Sequence, residues 1–272
     1  MSNVVALLAG EGDMPRMVAE EIYSSEDTLF LIAIKGITSP AIEQYADDIL
    51  WVSVTQIGRV LRECVKRRIT RVVMAGRVHH KEIFSLSLLR MDWTTLRLWW
   101  KLPDKRADTI LGAIADVFQQ RGIIVADTDH YLKRHMAKEG VLTIKKPSSD
   151  VMKDVSFGSA IAKKMGGLDI GQTVVVKKRS VVAVEAMEGT DQCIERAGAV
   201  AGEGCVVVKM AKPDQDMRFD VPTIGVNTIE KLAKIGASAL AIEAEKTLII
   251  DEETVGLADS LGIVIVSLCI RS

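Results

Sequence analysis

Much is missing from this 272-residue sequence, and each absence removes a class of function. Neither sign of charge dominates: 35 Lys and Arg stand against 36 Asp and Glu, a net charge of −1. Such a chain has no global field to hold a polyanion, so no nucleic-acid partner is expected. CxxC pairs are absent. Cys64, Cys193, Cys205 and Cys269 are scattered among aliphatic or helical residues and read as buried thiols of a reducing compartment, the cytoplasm. No run of about 18 apolar residues could span a bilayer. The opening MSNVVALLAGEGDMP lacks a basic n-region and its apolar run breaks at Gly10, so no signal peptide is expected. No internal repeat or low-complexity tract occurs. What remains, with 48% apolar and 26% charged residues, is an ordinary globular chain, soluble or resting on a membrane surface. At roughly 100 to 200 residues per domain it suits two domains.

The first half alternates short aliphatic runs with helical patterns. VVALLAG (4 to 10), LFLIAI (29 to 34), DILWVSV (48 to 54) and RVVMAG (71 to 76) are too short for buried helices and end in turn residues, so they read as parallel strands. Residues 14 to 24 and 55 to 68 carry apolar positions at three and four spacing and read as crossover helices. The expected fold class is α/β: a Rossmann-like, doubly wound parallel sheet over 1 to 137. The polar stretch 138 to 154 reads as a linker, followed by a mixed α/β domain over 155 to 272. That domain opens with a helix at 156 to 165 and a hairpin around Lys177-Lys178-Arg179-Ser180. Further strands are expected near 205 to 209, 239 to 242, 247 to 250 and 263 to 266, with helices near 191 to 198, 227 to 235 and 252 to 261.

Several segments carry chemistry. In AGEGDMPRM, Gly10 and Gly12 would let backbone N–H groups approach a phosphate at a helix N-terminus; a tight structural turn is the other reading. Pro15 stands where a dinucleotide fingerprint needs its third glycine, and the second strand ends at Lys35 rather than an acid, which disfavours NAD. FSLSLLRMDWTTLRLWWKLPDKR (84 to 106) holds Trp93, Trp99 and Trp100 among leucines, Arg90, Arg97 and Lys101. Rings beside cations suit an apolar–water boundary, an acyl-chain site or a membrane-surface helix; a core or dimer helix is the alternative.

KMAKPDQDMRFDVPTIG (209 to 225) spaces Asp214, Asp216, Arg218 and Asp220 by two, so an extended backbone would set Asp216, Arg218 and Asp220 on one face. AVEAMEGTD adds Glu185, Glu188 and Asp191 around Gly189, with Thr190 or Asp191 able to cap the next helix. All four histidines, His79, His80, His130 and His135, precede this half, so a site here has oxygen ligands only. That selects Mg²⁺ or Mn²⁺, cations that pair with phosphates. Lys209, Lys212 and Arg218 supply charge for a phosphoryl group.

Together AGEGDMP, GRVHHKE, DIGQTVVV, VEAMEGTD and KPDQDMRFDVPTIG resemble the LpxI-type UDP-2,3-diacylglucosamine pyrophosphatases of lipid A biosynthesis, from about residue 4 to 267. The resemblance implies a two-domain hydrolase that uses a divalent cation. It would cleave UDP-2,3-diacylglucosamine to UMP and 2,3-diacylglucosamine 1-phosphate, with water attacking the phosphorus nearer the sugar and the lipid held between the domains. On that reading Asp216 and Asp220 are metal ligands or the water-activating base, and Glu188 and Asp191 contribute further ligands. Lys209 and Arg218 clamp the phosphoryl oxygens. Gly10, Gly12, Gly76, Arg77, Glu188, Gly189, Thr190, Asp191, Trp99 and Trp100 contact the substrate. The expected partners are a lipid-linked UDP-sugar and, peripherally, the inner membrane, and a homodimer stays open. So do two other classes, a non-catalytic lipid or nucleotide-sugar carrier and a nicotinamide-dependent oxidoreductase.

Overall fold

The computed structural model describes residues 4–78, 91–104, 107–213, 215–219 and 221–270. Asp214, Asp220, His79, His80 and the tryptophan-rich segment up to Arg90 lie outside the described residues. The chain divides into two compact units: Met1–Leu132 with Met217–Phe219, and Lys133–Asp216 with Asp220–Ser272.

The first unit runs β1 (Val4–Ala9), α1 (Met14–Tyr23), β2 (Thr28–Ile34), β3 (Asp48–Val52), α2 (Ile57–Lys66), β4 (Arg71–Ala75), α3 (Trp93–Lys101), α4 (Ala107–Gln119), β5 (Ile124–Ala126) and the short α5 (Asp129–Leu132). Its sheet has the order β3-β2-β1-β4-β5, every pair parallel. The central strands are aliphatic at almost every position because helices cover both faces. Val60, Leu61 and Cys64 of α2 and Phe118 of α4 pack on Ala6, Phe30, Ile32 and Val72, while α1 contacts β1, β2 and β4. The chain winds outward from β1 to β3 and then returns to β4 on the other side of β1. Such a reversal leaves a crevice at the carboxyl ends of β1 and β4, where doubly wound sheets bind ligands.

The second unit is built on β6 (Gly140–Val141), α6 (Ser149–Gly167), β7 (Thr173–Lys177), β8 (Ser180–Val184), α7 (Thr190–Ala201), β9 (Val206–Lys209), β10 (Thr223–Ile224), α8 (Val226–Lys234), β11 (Ala239–Glu243), β12 (Leu248–Ile249), α9 (Glu253–Ser260) and β13 (Val264–Leu268). Its main sheet is mixed, in the order β6-β13-β11-β9-β7-β8, and β10 pairs with β12. Alternation along the strands separates two cores. Val174, Val176, Val206 and Val208 meet Val155 and Ala162 of α6, whereas Val175, Val207, Leu240 and Ile242 meet Ile194 of α7, Leu232 of α8 and Ala258 of α9. The α/β class and its parallel and mixed sheets match the sequence expectation.

Three expectations change. The segment 138–154 is no linker: β6 pairs antiparallel with β13, and α6 begins at Ser149, where the Ser148 side chain accepts a hydrogen bond from the Val151 N–H. Asp154, assigned to that linker, is a buried carboxylate of α6. Its two oxygens accept the Lys178 and Arg179 N–H groups of the hairpin turn at 2.8 and 2.6 Å. Finally, Met217–Phe219 form a turn, so Asp216 and Arg218 do not lie along one extended face, and Asp220, the third residue of that expectation, lies outside the described residues. Alternating charges bury neither side of a strand, and nothing in that pattern favours the extended chain.

Candidate functional site

In the first unit the loops after β1 and β4 close on each other. Gly10 N–H donates to the Ala75 carbonyl and Glu11 N–H to the Arg77 carbonyl, each at 2.8 Å, while Arg77 N–H returns a bond to the Glu11 carbonyl at 3.0 Å. A side chain at Gly10 would meet the Arg77 carbonyl oxygen at 2.7 Å. One at Gly76, whose φ is +89°, would meet Pro15 Cγ at 2.6 Å. Gly10 and Gly76 are therefore fixed by the approach of two backbones. The Gly10 amide, in the turn expected to face a phosphate, and the Glu11 amide beside it are committed within the protein. Gly12, at φ +103° with open space where a Cβ would stand, keeps the expected place before α1. Loops after the other strands complete this end of the sheet. Thr38 donates to the Ala9 carbonyl, and the Thr128 hydroxyl lies 3.1 Å from both the Met74 and the Arg218 carbonyls. Gly10, Gly12, Gly76, Arg77 and the backbone of Arg218 thus gather at the switch point. The Arg218 guanidinium stacks on Phe219, 4.8 Å from the ring centroid.

A second cluster stands where β7 begins and β9 ends, at one end of the strands of the second unit's sheet. Antiparallel register sets Thr173, the first residue of β7, opposite Lys209, the last of β9, so both side chains share a face. Lys209 is buried and its Nζ donates to the Thr223 carbonyl at 2.8 Å. Thr190 Oγ donates to Glu185 Oε1 at 2.9 Å and lies 3.3 Å from Thr173 Oγ, while Gln172 N–H donates to Glu185 Oε2 at 3.3 Å. Because the Thr190 proton goes to Glu185, Thr173 is the donor to Thr190, giving a relay from Thr173 through Thr190 to a buried carboxylate. Thr173 was missed in the sequence. Its signal was there, a hydroxyl heading the otherwise aliphatic run TVVV.

The acids around Gly189 are paired rather than pooled. Glu188 meets Arg196 at 2.5 Å, and Asp191 is ion-paired with Lys231 of α8. A bond from its own backbone N–H and then Arg196 hold the Glu188 carboxyl below the usual carboxylate range. Gly189, at φ +83°, is the N-cap of α7, which corrects the expectation of a Thr190 or Asp191 cap. Among the described residues no group of three His, Cys, Asp or Glu side chains could hold a metal ion. Glu188 and Asp191, as placed, do not fit as cation ligands. Of the other two expected ligands, Asp216 precedes the Met217–Phe219 turn and Asp220 lies outside the described residues.

The tryptophan-bearing helix α3 packs against α2 of the first unit. Asp92 caps α3 through the Thr95 N–H and also accepts the Arg59 N–H of α2. Trp99 is half-buried and Trp100 exposed, and the cavity of about 700 Å³ between α3 and α4 is lined by Trp93, Leu98 and Leu102, not by Trp99 or Trp100.

Models of the LpxI N-terminal domain and the LpxI C-terminal domain match residues 4–135 and 138–266. The chain belongs to the LpxI family. It is 28% identical over 270 residues, 95% of either chain, to the UDP-2,3-diacylglucosamine pyrophosphatase LpxI of Caulobacter vibrioides. Among solved structures it is similar to the biotin carboxylase domain of a thermophilic 2-oxoglutarate carboxylase, at 10% identity and TM-score 0.30, over 74% of this chain and 33% of that one. Another is the N5-carboxyaminoimidazole synthetase of Staphylococcus aureus, at 9% identity and TM-score 0.27, over 76% of this chain and 47% of that one. The chain spans about a third and about half of these two structures, and such scores assign neither fold nor function. No helix among the described residues of this LpxI-family chain is long and apolar enough to cross a membrane.

Proposed function

We propose that this chain hydrolyses the pyrophosphate of UDP-2,3-diacylglucosamine, releasing UMP and 2,3-diacylglucosamine 1-phosphate. The observation that carries the reading is likeness over 95% of both chains to a protein named for that activity. The geometry supports it in each unit separately. The first presents a glycine-lined switch point, the kind of place where α/β sheets take phosphorylated ligands. In the second, a buried lysine stands beside a Thr–Thr–Glu relay at the start of α7, where a helix N-terminus favours an anion.

Water attacks the phosphorus nearer the sugar, the P–O bond to UMP breaks, and UMP leaves with the bridging oxygen. The Lys209 ammonium and the Arg218 guanidinium stabilise the charge on the phosphoryl oxygens, and an acid of the 214–220 loop takes the proton from water. A divalent oxygen-seeking cation, Mg²⁺ or Mn²⁺, belongs to the proposal, with Asp216 and Asp220 as its carboxylates. When bound it would neutralise pyrophosphate charge.

The test mixes the pure chain with UDP-2,3-diacylglucosamine and Mg²⁺ in ¹⁸O-water. UMP without label and labelled sugar 1-phosphate are expected, with turnover lost in EDTA, restored by Mg²⁺ or Mn²⁺, and not restored by zinc. Absence of UMP overturns the hydrolase reading, and full turnover in EDTA overturns the cation.

A further inference from the structure

The nine-residue helix α3 is amphipathic in an unusual sense. Thr95 and Leu98 are its buried residues, and Trp93, Arg97, Trp100 and Lys101 are exposed. Those four stand at i, i+4, i+7 and i+8, which is one face of a helix. Trp93 is 76% exposed and Trp100 77%. Two tryptophans one above the other leave in water the side chains that gain most from burial. The face is also one-signed. From Trp93 to Pro103 there is no acid, and Asp92 is taken up in capping α3 and α2. Across the groove, the lining that comes from α4 and the turn after it includes Arg121 and Asp116.

We propose that this face docks the protein on an anionic phospholipid bilayer. Indole rings settle at headgroup depth, and Arg97 and Lys101, within a turn of the rings, reach the lipid phosphates. A second copy is a poorer occupant. A two-fold interface sets each patch against its own image and would bring Arg97 and Lys101 against cations. Nucleic acid would need a longer basic track than two side chains on a chain of net charge −1. The proposal rests on no part of the hydrolase reading, because it concerns lipid that is not substrate.

The experiment uses the full chain and vesicles of phosphatidylcholine with and without phosphatidylglycerol, free of any acylated UDP-sugar, and reads co-sedimentation. The native chain should bind the anionic vesicles much more tightly than the neutral ones and lose the difference in high salt. Arg97→Gln with Lys101→Gln should weaken anionic binding about 25-fold, at roughly fivefold per cation. Trp93→Ser with Trp100→Ser should weaken binding to both vesicle types at least about tenfold, with far-UV circular dichroism confirming that each variant is folded. No binding to anionic vesicles, or binding that neither pair of substitutions alters, overturns the proposal. So does a dimer in sedimentation velocity that the tryptophan pair abolishes while vesicle binding is untouched.

Discussion

At the scale of residues, what an acid can do depends on which cation already holds it. Glu188 and Asp191 looked from their spacing like part of an acidic pool, and their partners, Arg196 and Lys231, came from positions that spacing does not reach. The sequence therefore located the loop but not its protonation chemistry. Because Glu188's carboxyl is held below its ordinary value, its pair contributes stability above the unfolded carboxylate's pKa and loses it as pH falls through the lowered folded value. Glu188→Gln should thus melt below the native chain at neutral pH, and the gap should close well below about pH 4. Thermal melts at both pH values decide it, and an equal gap at both would assign the loss to packing instead. The cysteines make a second residue-scale test. Burial pushes the Cys64 thiol up to about 12 and Cys193 up to about 11, and Cys205 is also buried. Cys269 is exposed, which corrects the expectation of four buried thiols. A thiol reagent at neutral pH should titrate one cysteine rapidly in the folded chain and four in denaturant. Rapid reaction of Cys64 would contradict its place in the core. Above the ordinary thiol value of about 8.5 the unfolded chain ionises these groups first, so stability should fall as pH rises from there.

At the scale of elements, the aliphatic runs were legible because burial on both faces leaves a strand no freedom to alternate, and all four predicted strands of the first unit formed. The hairpin was legible from its two valine runs, but the reason for its turn was not. Lys178 and Arg179 have φ of 51° and 58°, a left-handed pair that usually calls for Asn-Gly. What holds it is Asp154, 24 residues upstream, and no local pattern reveals such a partner. Asp154→Ala would leave two amides and a turn of unfavourable backbone without their acceptor. The expected loss is about 2 to 4 kcal/mol, summing roughly 1 to 3 for unmet donors with the strain then unopposed. Chemical denaturation measures it. A loss below about 0.5 kcal/mol would mean that water replaces the carboxylate, and the clamp would not be what shapes the turn.

At the scale of the whole molecule, chain order and spatial order disagree in one place, and the disagreement is testable. The first unit is closed by Met217–Phe219, a segment that begins 85 residues beyond its last continuous residue, Leu132. Thr128 receives that segment through its hydroxyl at the Arg218 carbonyl and its N–H, 3.4 Å from the Met217 carbonyl. Unfolding the second unit frees both ends of the segment's chain and should pull it away, although β1 and β4 keep their own partners. Amide exchange separates these possibilities. In Asp154→Ala, whose lesion lies wholly in the second unit, the Thr128 amide should exchange faster by about the same factor as amides of β7. The Leu7 and Val73 amides, in the first sheet's centre, should hold their native rates. Uniform acceleration across both units would mean that the chain unfolds as one cooperative body. A Thr128 amide as slow as in the native chain would show instead that Met217–Phe219 stays bound when its own neighbours in sequence have melted.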